Sequence, residues 1–485
     1  MPSETNAPQP TRPRRRLAAL ALNLGVAVAS LALFFALSEG LLAAFGVKPL
    51  ARTEDPYFGF AAGQPLFVKV TGQDGVERYE TNPVKLTHFN HQSFPVRKAP
   101  GTVRVFALGG STTYGHPWRD STSFSGWLRE FLAGLDTTGG RRYEVINAGG
   151  ISYASYRAAR LAAELAAYEP DLFIVYNGHN EFLEERTYRE AKALPAWVRN
   201  LSGLLDHTRT YSLLRGVLGG RGAAAGEGKA AGDTLAAEVD DVLARTIGPS
   251  SYTRDDALRA QVLTHYEESQ TRIGAIAQSV GAQVIYMTTP SNETDCAPFK
   301  SEATPGLSGV DSARAAVWRL DGEKALNAGD LRGARARLDS AAALDPRNAS
   351  ALYLAGRAAL ASGDVAAARA YFRRAVDEDV CPLRALTPMR GIEQRVARAT
   401  GGGFVDFEDT LRAVVLPRQG HDLLGEPDFT DHVHLTVEHY GLMARGILAE
   451  MRRMGLVARL PDSTAAARAS RPPRRAWGST TSPRS

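Results

Sequence analysis

Five short apolar runs punctuate the chain: Val103–Leu108, Tyr143–Ile146, Leu172–Tyr176, Val284–Thr288 and Phe404–Phe407. Each is nearly continuous in hydrophobicity and rich in β-branched or aromatic side chains. That is the pattern of strands covered on both faces, as in a parallel sheet. Helical stretches lie between them, Phe124–Leu135 and Tyr156–Tyr168 among them. The alternation predicts an α/β/α sandwich around a parallel five-stranded sheet, with functional residues at the carboxyl ends of its strands.

The spacing between the runs is uneven. Residues 48–100 form a lead-in rich in Gly, Pro and aromatics, with short β-like runs such as Pro65–Val70. An insertion at 183–282 contains the Gly/Ala-rich stretch Leu218–Ala231, which reads as a flexible loop shaping or covering a pocket. A second insertion, 312–380, is helical and repetitive. Ala328-Gly329-Asp330 returns as Ser362-Gly363-Asp364, thirty-four positions on, with the helix stop Asp345-Pro346 between them. That period resembles tetratricopeptide repeats, and two units are too few for a free solenoid. The expectation is a helical layer docked on the α/β region and able to hold a protein partner. The α/β region itself then occupies 101–311 and 381–460, followed by a Ser/Pro/Arg tail at 461–485 that reads as disordered.

The longest apolar run lies near the start. From Leu17 to Leu37 there is no charged residue, and only Asn23 and Ser30 are polar. As a helix, 21 such residues rise roughly 30 Å, the thickness of a bilayer's hydrocarbon core. Arg14, Arg15 and Arg16 precede it in a basic tail, 1–16, and would hold that end in the cytoplasm. The segment 17–37 therefore reads as a transmembrane signal-anchor, with a cleaved signal as the alternative, and the rest of the chain as periplasmic or outer-face.

Charge narrows the class further. The tails 1–16 and 461–485 carry +3 and +4 of a total of +5, so the body between them is −2. Nothing in that balance suggests a nucleic-acid partner. Two cysteines, Cys296 and Cys381, are too few for a disulfide framework and give no zinc spacing. They either pair with each other or remain free thiols.

Candidate chemistry sits where the strands end. Gly109-Gly110-Ser111 directly follows the first run, and glycines there allow a tight turn that presents a serine at the strand's edge. Near the chain's end, Asp431-His432-Val433-His434 places an Asp three residues before a His. The carboxylate can fold back onto Nδ1 and leave Nε2 to take a proton from serine. A metal site on His432 and His434 is the competing reading, but no third ligand cluster is near. Asn177-Gly178-His179-Asn180-Glu181 follows the third run, where an Asn amide can donate to an oxyanion. Asn147-Ala148-Gly149-Gly150-Ile151-Ser152 follows the second and can supply backbone N–H groups. His116, just past the serine turn, could face the pocket, but a surface or core histidine is the favoured reading.

Taken in this order, the blocks Gly109–Thr113, Gly178–Glu181 and Asp431–His434 resemble the SGNH (GDSL-type) hydrolases, in particular a membrane-anchored branch with an inserted repeat. The resemblance covers residues 100–182, the run at 284–288 and residues 400–450. It implies a flavodoxin-like sandwich, a Ser111–His434–Asp431 triad, and an oxyanion hole from the Ser111 N–H, a second-block N–H and the Asn180 side chain. There are departures. Gly110 stands where the family has Asp, Glu181 stands where it has Asp, and the second-block glycine falls on Ser152, leaving Ser152 or Gly150 at the hole. The implied activity is an esterase that needs no metal or organic cofactor and cleaves O-acyl (O-acetyl included) esters of small molecules, glycans or lipids. An O-acyltransferase acting on envelope polysaccharide and a non-catalytic repeat scaffold are the alternatives.

Overall fold

The computed structural model describes residues 12–45, 65–72, 74–135, 141–183, 209–210 and 252–457. The chain divides into two compact units. In one of them, α1 (Arg12–Ala44) is a single 33-residue helix whose Glu39 accepts the Arg209 and Thr210 N–H groups at 2.9 and 2.7 Å. The expected span 17–37 lies within α1. Many of its side chains fall outside the described residues, and among those described no helix is long and apolar enough to cross a membrane.

The other unit begins with a small antiparallel sheet, β1 (Phe67–Thr71), β2 (Glu77–Thr81) and β3 (Ser93–Pro95), so the lead-in is strand-rich. Its Phe67 and Phe94 pack edge-on, at 5.0 Å between ring centres, and both meet Tyr168 and Phe106. Next come β4 (Thr102–Gly109), α2 (Ser111–Tyr114), α3 (Phe124–Ala133), β5 (Arg142–Gly149), α4 (Ser155–Leu165) and β6 (Leu172–Tyr176). They are followed by α5 (Asp256–Ser279), β7 (Gln283–Met287), the helices α6 (Gly309–Asn327), α7 (Leu331–Leu344), α8 (Ala349–Ala361) and α9 (Val365–Asp377), then α10 (Thr387–Thr400), β8 (Gly403–Val405), α11 (Phe407–Gln419) and α12 (Val437–Arg453).

β4 to β8 form one parallel sheet in the order β5-β4-β6-β7-β8. The sheet grows one way from β4 to β5 and the other way through β6. Such a reversal opens a crevice beyond the carboxyl ends of β4 and β6, which is where doubly wound sheets bind ligands. One sheet face is sealed by α3, α11 and α12 through Phe124, Trp127, Phe407, Tyr440 and Ile447. On the other, α4 packs beside α5 and α5 beside α10. There the Tyr286 hydroxyl donates to the Gln270 carbonyl at 3.1 Å.

Two boundaries differ from expectation. The last apolar run was expected as a strand to Phe407, but the strand stops at Val405. Asp406 then accepts the Asp409 N–H as N-cap, and Phe407 opens α11. The expected 183–282 insertion also ends early, because α5 is the crossover helix between β6 and β7. Leu218–Ala231 lies outside the described residues, as does everything after 457, the whole tail 461–485 included.

The repeat segment 312–380 is two helical hairpins, α6–α7 and α8–α9. Gly329 and Gly363 turn them at φ +78° and +80°, and Asp330 and Asp364 cap the second helix of each. The packing repeats as well. A Cβ on Gly322 would meet Leu338 at 2.6 Å, and one on Gly356 would meet the Phe372 ring at 2.9 Å. Both partners recur thirty-four positions on, so each hairpin closes over the same glycine notch. The insert is tied down at its middle and its finish. Thr304 donates to Asp345, Arg347 bridges Asp256 and Glu378, and Arg254 pairs with Glu378 at 2.5 Å.

Candidate active site

Ser111 is the first residue of α2, immediately after β4. The turn that exposes it depends on two glycines for different reasons. Gly109 sits at φ +157°, and a Cβ there would strike the Tyr176 carbonyl at 2.0 Å; at Gly110 a Cβ would lie 2.5 Å from the Asn180 amide nitrogen. The family's Asp position is therefore closed to any side chain unless Asn180 moves. Thr113 secures the turn by donating its hydroxyl to the Tyr176 carbonyl at 2.9 Å.

A continuous relay runs from this serine. Ser111 Oγ is 2.8 Å from His434 Nε2, and His434 Nδ1 is 2.5 Å from Asp431 Oδ2. The other carboxylate oxygen, Oδ1, accepts the Val433 and His434 N–H groups at 2.8 and 2.7 Å. Burial pushes the Asp431 carboxyl up. The His434 hydrogen bond and the charges of His434 and His432 outweigh that and hold it well below the usual carboxylate range. Asp431 is thus an anion at neutral pH, which keeps the proton on Nδ1 and the Nε2 lone pair towards serine. Both His434 ring nitrogens are engaged in this relay, so His434 is not arranged as a metal ligand, and among the described residues there is no group of three potential ligands.

The candidate donors for an oxyanion lie beside it. Asn180 is buried, and its amide donates one proton to the Tyr153 carbonyl at 3.1 Å, leaving the other available. Gly150 and Ser152 differ in hydrogen bonding. The Gly150 N–H donates to the Gly109 carbonyl at 3.0 Å and is committed to the sheet edge. Ser152 occupies the turn closed by Tyr153 N–H to Gly150 O, at φ +62°. That left-handed position favours glycine. Glu181 supports the group from behind by accepting the Ser155 N–H at 2.9 Å and its hydroxyl at 2.7 Å, at the start of α4.

Several neighbours had no role in the sequence reading. His116 was expected as a surface or core residue, but its ring stands edge-on to His434, 4.9 Å between centres. Trp118 Nε1 donates to the Leu435 carbonyl at 2.9 Å, pinning the serine loop to the histidine loop. His179 is fully buried, and burial together with the charges of His432 and His434 pushes it down to about 3. Its Nδ1 accepts the Ala385 N–H at 3.1 Å, so the ring proton sits on Nε2. Behind the Asp431 loop, Asn292 donates to the His432 and Asp431 carbonyls, and buried Arg384 donates to the Asn292 and Cys296 carbonyls at 2.8 and 2.9 Å. Arg384 in turn lies 3.7 Å from Asp379, the residue that closes the insert. No short motif signals that brace. Cys296 and Cys381 are free thiols.

A cleft of about 650 Å³, counted to its open mouth, runs along the carboxyl ends of β7 and β8 between Thr289, Ala385, Met389 and Arg390. Thr289, Ala385 and Met389 also form the surroundings of Gly178, so the cleft borders the Gly178–Asn180 segment.

The tetratricopeptide repeat family matches residues 322–379. None of the curated proteins matches the chain. Similar solved structures include a G-D-S-L family lipolytic protein from Desulfitobacterium hafniense DCB-2, at 12% identity and TM-score 0.29, covering 71% of this chain and 97% of that one. An extracellular lipase from Streptomyces rimosus is 13% identical at TM-score 0.30, covering 72% and 99%. The psychrotrophic esterase EstA from Pseudoalteromonas sp. is 9% identical at TM-score 0.28, covering 73% and 99%. Overlays this loose carry no weight beside the geometry of the site itself.

Proposed function

We propose that the protein is a serine esterase of the SGNH type, with Ser111 as nucleophile, His434 as general base and acid, and Asp431 as the group that orients it. The observation that carries this reading is the unbroken Ser111–His434–Asp431 relay beside a half-committed Asn180 amide. Ser111 Oγ attacks an ester carbonyl while Nε2 takes its proton. The carbonyl oxygen becomes an anion held by the Ser111 N–H, the Ser152 N–H and the free Asn180 N–H. His434 then protonates the leaving alcohol, and water, deprotonated by the same Nε2, releases the acid.

The test is hydrolysis of short-chain p-nitrophenyl esters together with labelling by a fluorophosphonate probe. Ser111→Ala abolishes both, and Asn180→Ala lowers kcat by about 10²–10³ while the protein stays folded and labelled. Full turnover by Ser111→Ala would overturn the nucleophile. The location belongs to the same proposal and rests on the sequence: three arginines ahead of 21 uncharged residues support an anchored, outward-facing enzyme. Protease added outside intact spheroplasts then degrades the α/β region, and protection of that region would reverse the orientation.

A further inference from the structure

Stacked helical repeats cover one another, and a terminal helix in such an array carries a polar outer face. The first helix of this insert does not. On α6, Val310, Val317 and Leu320 are 70%, 54% and 46% exposed, with exposed Ala313 between them. At 3.6 residues per turn these four share one side of the helix. Ala315 and Gly322, which are buried, lie on another, with Gly322 notched against Leu338 of α7. The open stripe is not needed to close the hairpin.

We propose that this stripe docks a second copy of the chain, α6 against α6, antiparallel across a two-fold axis beside Val317. A symmetric contact of this kind requires a surface complementary to itself, and the charges along the stripe meet that requirement. Arg314 and Asp321 flank the same edge, one turn on either side of the axis. Within one chain they make only exposed pairs, Arg314 with Asp311 and Asp321 with Lys324, both at 3.5 Å. Two antiparallel copies bring Arg314 beside the partner's Asp321 and, by symmetry, Asp321 beside the partner's Arg314. The contact is small compared with interfaces of about 1,200–2,000 Å², so the association depends on concentration.

The experiment is sedimentation velocity on the full chain in mild detergent over a concentration series. The parent shifts from monomer to dimer as concentration rises. Arg314→Asp alone faces acid with acid on both flanks, and Asp321→Arg alone faces base with base. Each variant weakens self-association by about ten-fold or more. Mixing the two variants restores dimers, because every flank then pairs Asp with Arg. That recovery cannot come from misfolded chains or from the N-terminal helix. A parent that stays monomeric, single variants that dimerise like the parent, or a mixture that stays monomeric would each overturn the proposal.

Discussion

His179 illustrates how one side chain can be fixed chemically by its surroundings. Its Nδ1 is occupied by the Ala385 N–H, and burial keeps the ring neutral down to about pH 3. An unfolded histidine titrates near 6.5. Between those values the unfolded chain binds a proton that the folded chain refuses, so stability falls as pH drops from about 6.5 towards 3. The contribution approaches about 1.4 kcal/mol per pH unit. Chemical denaturation at several pH values should therefore show a shallower acid loss for His179→Phe than for the parent; an unchanged slope would mean that other groups dominate. The residues of the relay were legible in the sequence because a three-residue spacing and a strand-end serine are local signals. The difference between Ser152 and Gly150 was not, since it depends on which N–H the sheet edge consumes. Arg384 was also beyond reach, because the Asn292 carbonyl it holds is more than ninety positions away.

At the scale of elements, apolar continuity located every strand of the parallel sheet, although β5 runs three residues past its apolar run and β8 stops two short. It failed for α5, whose inward positions include Ser269, Gln270 and Gly274, so its pattern is faint and the helix disappeared into a presumed insertion. What holds α5 is polar contact: the Tyr266 hydroxyl reaches the Asn177 carbonyl and Glu393 at 3.0 and 2.7 Å, and Gln270 bonds to Asn177. The repeat hairpins were readable for the opposite reason, since Gly-Asp turns recur in register. Their closure gives a quantitative expectation. Gly356→Ala would ordinarily favour a helix by about 1 kcal/mol, yet the new methyl meets the Phe372 ring at 2.9 Å. Overpacking of this kind costs about 1–3 kcal/mol, so the clash prevails. Thermal melting should place Gly356→Ala below the parent, and a higher midpoint would show that the notch can open.

At the scale of the whole molecule, the insert lies between Ser111 and the Asp431–His434 loop along the chain, yet its middle and its finish are held on the α/β region. Thr304 and Asp256 hold the turn between its hairpins through Asp345 and Arg347, and Arg254 holds Glu378 at its finish. The turn at Gly363 is exposed and joins α8 to α9, which pack along their length. A protease site built into that turn would yield one fragment bearing the serine and another bearing its acid–base partners. The two should co-purify and hydrolyse ester together, while neither does so alone; loss of turnover on cleavage would show that the chain link is required. A continuous polypeptide is thus expected to behave as a split reporter, in which catalysis reads out whether the two halves are still clasped.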